Sequence, residues 1–313
     1  MTILDAIIQG VVQGLTEFLP VSSSGHLTIT QHILGVTEDN LFFSVMLHIG
    51  TLVAVIAFYH KLIWRLIKEF ISIIGDILTG KFKWKEMSDD RRMVIMLIIG
   101  LLPLVLLFVP IPGTDMKVKD LADVFTGSKY FYIVGISLIV TSILLLIGSI
   151  RSRGEVAMRH AKEGKVEAAR TALTVPDAIV VGITQCFAAI FPGLSRSGST
   201  LSAGQIRGLN KQTALDYTFI LGTPAIVAAA LLESIEALEA PGGISIEILP
   251  IIVGMIVATV VGYLSIVLFK WLLKTDKMII FILYTAIVGI GVLVISFIEM
   301  QTGVNFFTHV PLA

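Results

Sequence analysis

Residues 2–20 read TILDAIIQGVVQGLTEFLP and residues 174–192 read TVPDAIVVGITQCFAAIFP. At an offset of 172 they coincide at Thr2/Thr174, Asp5/Asp177, Ala6/Ala178, Ile7/Ile179, Gly10/Gly182, Gln13/Gln185 and Pro20/Pro192. Shared apolar composition does not place Asp, Gln, Gly and Pro in one register. A short polar run bearing a glycine follows each proline, SSSGH at 22–26 and SRSGS at 195–199. Gly50-Thr51 and Gly222-Thr223 keep the same offset further along. A match at fixed spacing is the mark of an internally duplicated fold, so the chain is read as two copies of one unit.

The setting of that unit follows from composition. Of the 313 residues, 55% are hydrophobic and only 15% are charged, where a soluble domain carries about 25%. Mean hydropathy is +0.91. Windows 93–114, 130–150, 248–269 and 278–298 hold no charge at all, and each is as long as the roughly 20 residues a bilayer crossing needs. An all-α polytopic membrane protein is expected. The N-terminus has no basic run before its apolar stretch, so no cleaved signal is expected. The single cysteine, Cys186, excludes an intrachain disulfide. Net charge is zero, and no basic footprint for nucleic acid is present.

Six full spans are read, at 41–60, 93–112, 129–150, 213–232, 248–270 and 278–298. Lys and Arg crowd segments 61–92, 151–173 and 270–277 but are absent from 233–247 and 299–313. The positive-inside rule puts the basic segments in the cytoplasm and 113–128, 233–247 and the C-terminus outside. Stretch 62–79 is amphipathic and reads as a helix lying on the cytoplasmic surface. Each half then holds the repeated segment followed by three spans. Three is odd, so the second half is expected to be inverted. The first repeat is 1–150, with a re-entrant hairpin at 2–37. The second is 151–313, with a linker at 151–173 and a re-entrant hairpin at 174–210. Inverted repeats with broken helices meeting at mid-membrane are the usual setting of a central polar site.

The hairpin tips supply the chemistry. The first carries Gln13, Glu17, Ser22, Ser23, Ser24 and His26. Gln13 and Glu17 are one helical turn apart, and an intramembrane carboxylate is costly enough to imply function. A carboxylate beside an amide and hydroxyls suits a hard divalent cation, Mg²⁺ or Ca²⁺. The second tip carries Ser195, Arg196, Ser197, Ser199 and Thr200. An arginine fork among hydroxyls at a helix start suits phosphate. Metal, arginine and a hydroxyl form a phosphoryl-transfer set. Glu17 and Gln13 are the candidate metal ligands. Ser22, Ser24, Ser195, Arg196, Ser197 and Thr200 are the candidate phosphate binders. His48 falls inside a span, where a satisfied core histidine is expected; His32, His60, His160 and His309 fall near loops or ends.

QGLTEFLPVSSSGH (13–26) and PGLSRSGST (192–200) resemble the undecaprenyl-diphosphate phosphatase family, also called bacitracin-resistance proteins, and the likeness extends over essentially the whole chain. The resemblance implies hydrolysis of undecaprenyl diphosphate to the monophosphate, which recycles the lipid carrier for cell-wall synthesis. The family's acidic motif, Glu or Gln and then Glu four residues on, falls on Gln13 and Glu17, making Glu17 the main metal ligand. Its first-tip serine and histidine fall on Ser23 and His26, and its phosphate-binding Ser-Arg pair on Ser195 and Arg196, supported by Thr200. The expected catalytic residues are therefore Glu17, Ser23 as nucleophile or water-orienter, His26 as proton shuttle, and Arg196. The expected partners are a polyprenyl diphosphate lipid and the bilayer, with a homodimer left open and no nucleic acid. The expected location is the bacterial cell membrane, with the site opening to the outer face and the lipid tail leaving sideways past Gly10, Gly14 and Gly25. The rival reading is a transporter or flippase of an anionic polyprenyl lipid, which the inverted repeat also suits. Against it, the two tips differ in chemistry: Ser23 aligns with Arg196, His26 with Ser199, and Glu17 with Ala189.

Overall fold

The computed structural model describes residues 2–34, 41–84, 87–161, 169–239 and 248–312. Parts of the expected first hairpin (35–37), the linker (162–168) and the acidic segment (240–247), together with Lys85, lie outside the described residues. Among the described residues there is no sheet, and eleven α-helices occur: α1 Ile3–Phe18, α2 Ser23–Leu34, α3 Leu41–Leu78, α4 Asp89–Leu101, α5 Leu121–Thr126, α6 Phe131–Ala161, α7 Val175–Ile190, α8 Arg196–Ile206, α9 Lys211–Glu239, α10 Ile248–Lys274 and α11 Ile279–Thr302. Six helical stretches are long and apolar enough to cross a membrane: Phe43–Leu78, Asp89–Phe108, Ser128–Ser152, Lys211–Leu232, Ile248–Lys274 and Ile279–Thr302. They contain or overlap the six expected spans. The protein is an all-α polytopic membrane protein.

The repeated sequence segments fold alike. Thr2 and Asp5 form a capping box at the start of α1, with the Thr2 N–H donating to Asp5 Oδ2 at 2.8 Å. Thr174 and Asp177 do the same at the start of α7, at 3.0 Å. The helices that follow are short: α1 and α7 have 16 residues each, α2 has 12 and α8 has 11. At 1.5 Å per residue, even the longer pair reaches only about 24 Å, short of the roughly 30 Å hydrocarbon core. Each pair turns back on itself at its Pro/Ser/Gly run.

Packing interleaves the halves. α1 lies chiefly against α10, and α7 lies against α4; α3 packs on α10, and α9 on α4. Each contact thus recurs with the halves exchanged, while α3 meets α9 and α6 meets α11. Close approach of α1 to α10 depends on Gly10 and Gly14. A Cβ on Gly10 would stand 2.7 Å from the Gly254 carbonyl oxygen, and one on Gly14 would stand 2.8 Å from Val261 Cβ. Small residues that let backbones touch are the usual glue between membrane helices. These two glycines therefore hold a helix contact and do not line the lateral exit that the sequence suggested.

The helices bend at two places. The amphipathic stretch 62–79 is helical to Leu78, as expected, and is set off from the preceding span within α3 by a kink at Tyr59, where φ is −99° and ψ is 16°. The span near 93–112 is α-helical only to Leu101, after which Pro103 leads into a 3₁₀ stretch, Leu102–Phe108. Outward-facing apolar side chains such as Leu264, Ile287 and Phe297 are more than half exposed, as a lipid-facing surface requires.

Candidate active site

The two turns meet tip to tip. α1 ends at Phe18, and Leu19 is extended. Ser22 then adopts a left-handed backbone, φ 74°, a costly conformation for a residue with a side chain. Its Oγ accepts from the Gly25 N–H at 3.2 Å. The second turn repeats this bond, with Ser195 Oγ accepting from the Gly198 N–H at 3.1 Å. The Ser22–Ser24 and Ser195–Ser197 hydroxyl pairs are each 3.3 Å apart. Gly25 and Gly193 face one another so closely that a Cβ on Gly25 would stand 2.8 Å from Gly193 Cα. Ser197 Oγ donates across the junction to the Leu19 carbonyl at 3.1 Å. α2 and α8 therefore both begin at the junction, and their positive dipole ends favour an anion there.

Glu17 sits at this junction with its side chain 4% exposed. Oε1 accepts from Arg196 Nη2 at 2.5 Å, and Oε2 accepts from Ser23 Oγ at 2.8 Å and from Gln13 Nε2 at 3.0 Å. A buried carboxylate persists only when paired and hydrogen-bonded, and this one has three donors. Arg196 has room because Gly222 on α9 lacks a side chain; a Cβ there would overlap Nη1 of the guanidinium. The Arg196 side chain remains 21% exposed, so one edge is open to a ligand.

The other expected site residues divide. Ser24 is exposed and Ser23 half-buried, both at the junction. Ser22, Ser195, Ser197 and Thr200 are buried, and their hydroxyls are engaged within the tips. Thr200 Oγ1 and Ser199 Oγ both donate to the Arg196 carbonyl, at 2.7 and 3.3 Å. The Ser195 N–H donates to Thr141 Oγ1 on α6 at 3.0 Å. His26 does not bond to Glu17 or Ser23. Its Nδ1 lies 2.8 Å from the Ser22 carbonyl, which can only accept, so Nδ1 carries the proton; Nε2 then accepts from the Tyr284 hydroxyl at 2.7 Å.

Two residues of the site escaped the sequence reading. Tyr284 on α11 is one. The other is His48, expected to be a satisfied core residue but standing with Nε2 3.8 Å from Glu17 Oε2. No local signal marked His48: the repeated Gly50-Thr51 lies two residues on, but it does not say which way the ring turns. His32 is also more than a terminal residue. It is buried, with Nε2 2.7 Å from Glu299 Oε1.

Whether these residues fit a cation can be judged from Gln13. Its Oε1 is buried with no hydrogen-bond partner, and turning the amide over would present that oxygen to the point Glu17 faces. Among the described residues no group of three or more His, Cys, Asp and Glu side chains is placed to hold a metal ion by itself. An oxygen set of Glu17, Gln13 and Ser23, completed by water and phosphate, fits a hard divalent ion that keeps several waters.

Fold and site together define a polytopic membrane protein with a buried Glu–Arg–Ser centre made by two helical turns. The chain belongs to the family described as bacitracin resistance protein BacA, whose profile matches residues 6–291. It is similar to proteins named undecaprenyl-diphosphatase. One, from Methanosphaera stadtmanae, is 36% identical over 95% of this chain and 99% of the relative. Another, from Alkaliphilus metalliredigens, is 37% identical over the same shares. A third, from Methanobrevibacter smithii, is 39% identical over 93% of this chain and 96% of the relative.

Proposed function

We propose that this protein is a membrane phosphatase that hydrolyses undecaprenyl diphosphate to undecaprenyl phosphate and inorganic phosphate. The observation that carries the reading is the contact of Ser23 Oγ with Glu17 Oε2 at 2.8 Å, beside Arg196. That is a nucleophile and a base within reach, next to an arginine fork shaped for phosphate. Family membership and the names of the relatives supply the substrate.

The chemistry follows from the bonds already present. The terminal phosphate takes the open edge of Arg196 and displaces Glu17 from it. Glu17 Oε2, freed of that charge partner, accepts the Ser23 proton as Ser23 Oγ attacks the terminal phosphorus. The bond to the bridging oxygen breaks, and the lipid monophosphate leaves. Water then attacks the phosphoserine, delivering inorganic phosphate and returning the proton to Ser23. The helix starts at Ser23 and Arg196 favour the charge on the phosphoryl oxygens. Ser195, Ser197 and Thr200, buried in hydrogen bonds within the tip, hold Arg196 and bring their backbone groups to the phosphate. His26, braced by Tyr284, exchanges protons with water outside the site. A divalent cation held by Glu17 and Gln13 would neutralise charge on the diphosphate.

The two hairpins are assigned as re-entrant and of opposite orientation, which places the junction near mid-membrane. The exchanged helix contacts and the duplicated turn hydrogen bonds support a duplicated unit, and the distribution of Lys and Arg supports the inversion. On that topology the first hairpin enters from the outer face of the cell membrane, and the site opens there.

The test is phosphate release from undecaprenyl diphosphate by purified protein in detergent. Steady turnover that disappears in Ser23→Ala while lipid binding persists is expected. Detergent offers no second compartment, so a pure transporter would release no phosphate. Trapping phosphate on Ser195 would reverse the roles of the two serines.

A further inference from the structure

The imidazole of His48 is held in one orientation by one bond. Nδ1 lies 2.8 Å from the Ser44 carbonyl oxygen one turn back in α3. A carbonyl oxygen only accepts, so Nδ1 carries the hydrogen, and in the neutral ring the Nε2 lone pair is free. Nε2 lies 3.8 Å from Glu17 Oε2. The separation is beyond hydrogen-bond length. Two electron-rich atoms thus stand across a gap that neither fills, inside a site where Gln13 Oε1 is also buried without a partner.

Nitrogen and oxygen ligands bind a first-row divalent ion at about 2.0–2.2 Å, so two of them on one ion stand about 3–4 Å apart. The Glu17–His48 gap lies within that interval. An imidazole whose far nitrogen donates to a backbone carbonyl, leaving the near one free, is also the way metal-binding histidines are oriented.

We propose that His48 is a nitrogen ligand of the divalent cation assigned to Glu17 and Gln13; the inference rests on the metal reading of that site. The consequence is a choice among metals. An all-oxygen site suits Mg²⁺ or Ca²⁺, whereas an imidazole raises affinity for ions later in the first transition row. The site is therefore a mixed nitrogen–oxygen centre that takes Mn²⁺, Co²⁺ or Zn²⁺ more tightly than Mg²⁺ or Ca²⁺.

Mn²⁺ titration of the purified full chain, read by electron paramagnetic resonance, tests this without turnover. The wild-type spectrum is expected to show electron spin-echo modulation from an imidazole ¹⁴N. His48→Gln should lose that modulation and bind Mn²⁺ at least about tenfold more weakly, with its thermal melting midpoint near wild type. Glu17→Ala should bind weakly or not at all. Glu17-dependent Mn²⁺ binding without a ¹⁴N signal, or with affinity unchanged in His48→Gln, would overturn the assignment of His48 and leave the Glu17 site standing. Binding that ignores Glu17 would overturn the metal site itself.

Discussion

At the scale of single residues the site is a competition for one carboxylate. Glu17 is shared by Arg196, Ser23 and Gln13. Each of these groups has its own chemical task once phosphate arrives. Arg196 binds with a planar fork, so Arg196→Lys, although it keeps the charge, is expected to lose about 10²–10³-fold in kcat/KM. Near-normal kinetics in that variant would argue against two-pronged phosphate binding. Glu17→Gln keeps the shape but removes the base, and is expected to abolish turnover nearly as completely as Glu17→Ala. Gln13→Glu should be tolerated, because either side chain can offer an oxygen at that turn of α1. These three residues are legible in sequence because ionisable and amide groups are conspicuous in an apolar chain. His48 is not, because nothing in its local sequence says that its ring faces another element.

At the scale of elements, two contacts decide whether the site is aligned. The first is between α8 and α9, where Gly222 leaves space for the Arg196 guanidinium. Gly222→Ala is expected to cost about 10²-fold in kcat/KM, as losing one transition-state donor does, because the methyl group evicts the guanidinium. Gly291 has open space around it, so Gly291→Ala is the matched control and should leave kinetics unchanged. Equal kinetics for the two variants would show that Arg196 does not need that space. The second contact fastens the far end of α2. Glu299 accepts from the Phe306 N–H at 2.8 Å and lies 2.7 Å from His32, while Asn305 donates to the His32 carbonyl at 3.2 Å. Glu299→Ala leaves buried polar groups without partners, and is expected to cost about 1–3 kcal/mol of stability. A lowered melting midpoint in detergent with unchanged Mn²⁺ affinity is the expected pattern; an unchanged midpoint would mean the latch contributes nothing.

At the scale of the whole molecule, the question is which face of the membrane the site opens to. On the proposed topology the loop carrying Lys270, Lys274 and Lys277 lies inside and the first hairpin enters from outside. The labelling test begins from Cys186→Ala and adds single cysteines at Ser24 and at Thr275, both exposed. In intact spheroplasts a membrane-impermeant thiol reagent should modify position 24 but not 275, and a diphosphate analogue should protect position 24. Modification of 275 alone would reverse the orientation and the side from which substrate enters.

By itself, the sequence determines the membrane setting, the six spans and the duplication. Each follows from local quantities: runs without charge, the placement of Lys and Arg, and matched residues at one offset. It also marks the two turns, because at each one a proline is followed by a polar, glycine-bearing run within an apolar chain. Only the tertiary structure decides what the turns do to each other. The junction joins residues 179 positions apart, Glu17 and Arg196, through helices that exchange partners between halves, and no local pattern records such a contact. Gly10 and Gly14 read as points past which the lipid tail leaves and prove to be packing contacts, because a glycine in sequence says that space is needed without saying what fills it. His48 and Tyr284 enter the site from α3 and α11 for the same reason: a polar side chain on a span faces lipid, core or ligand according to the helix packed beside it, and that is settled by the fold alone.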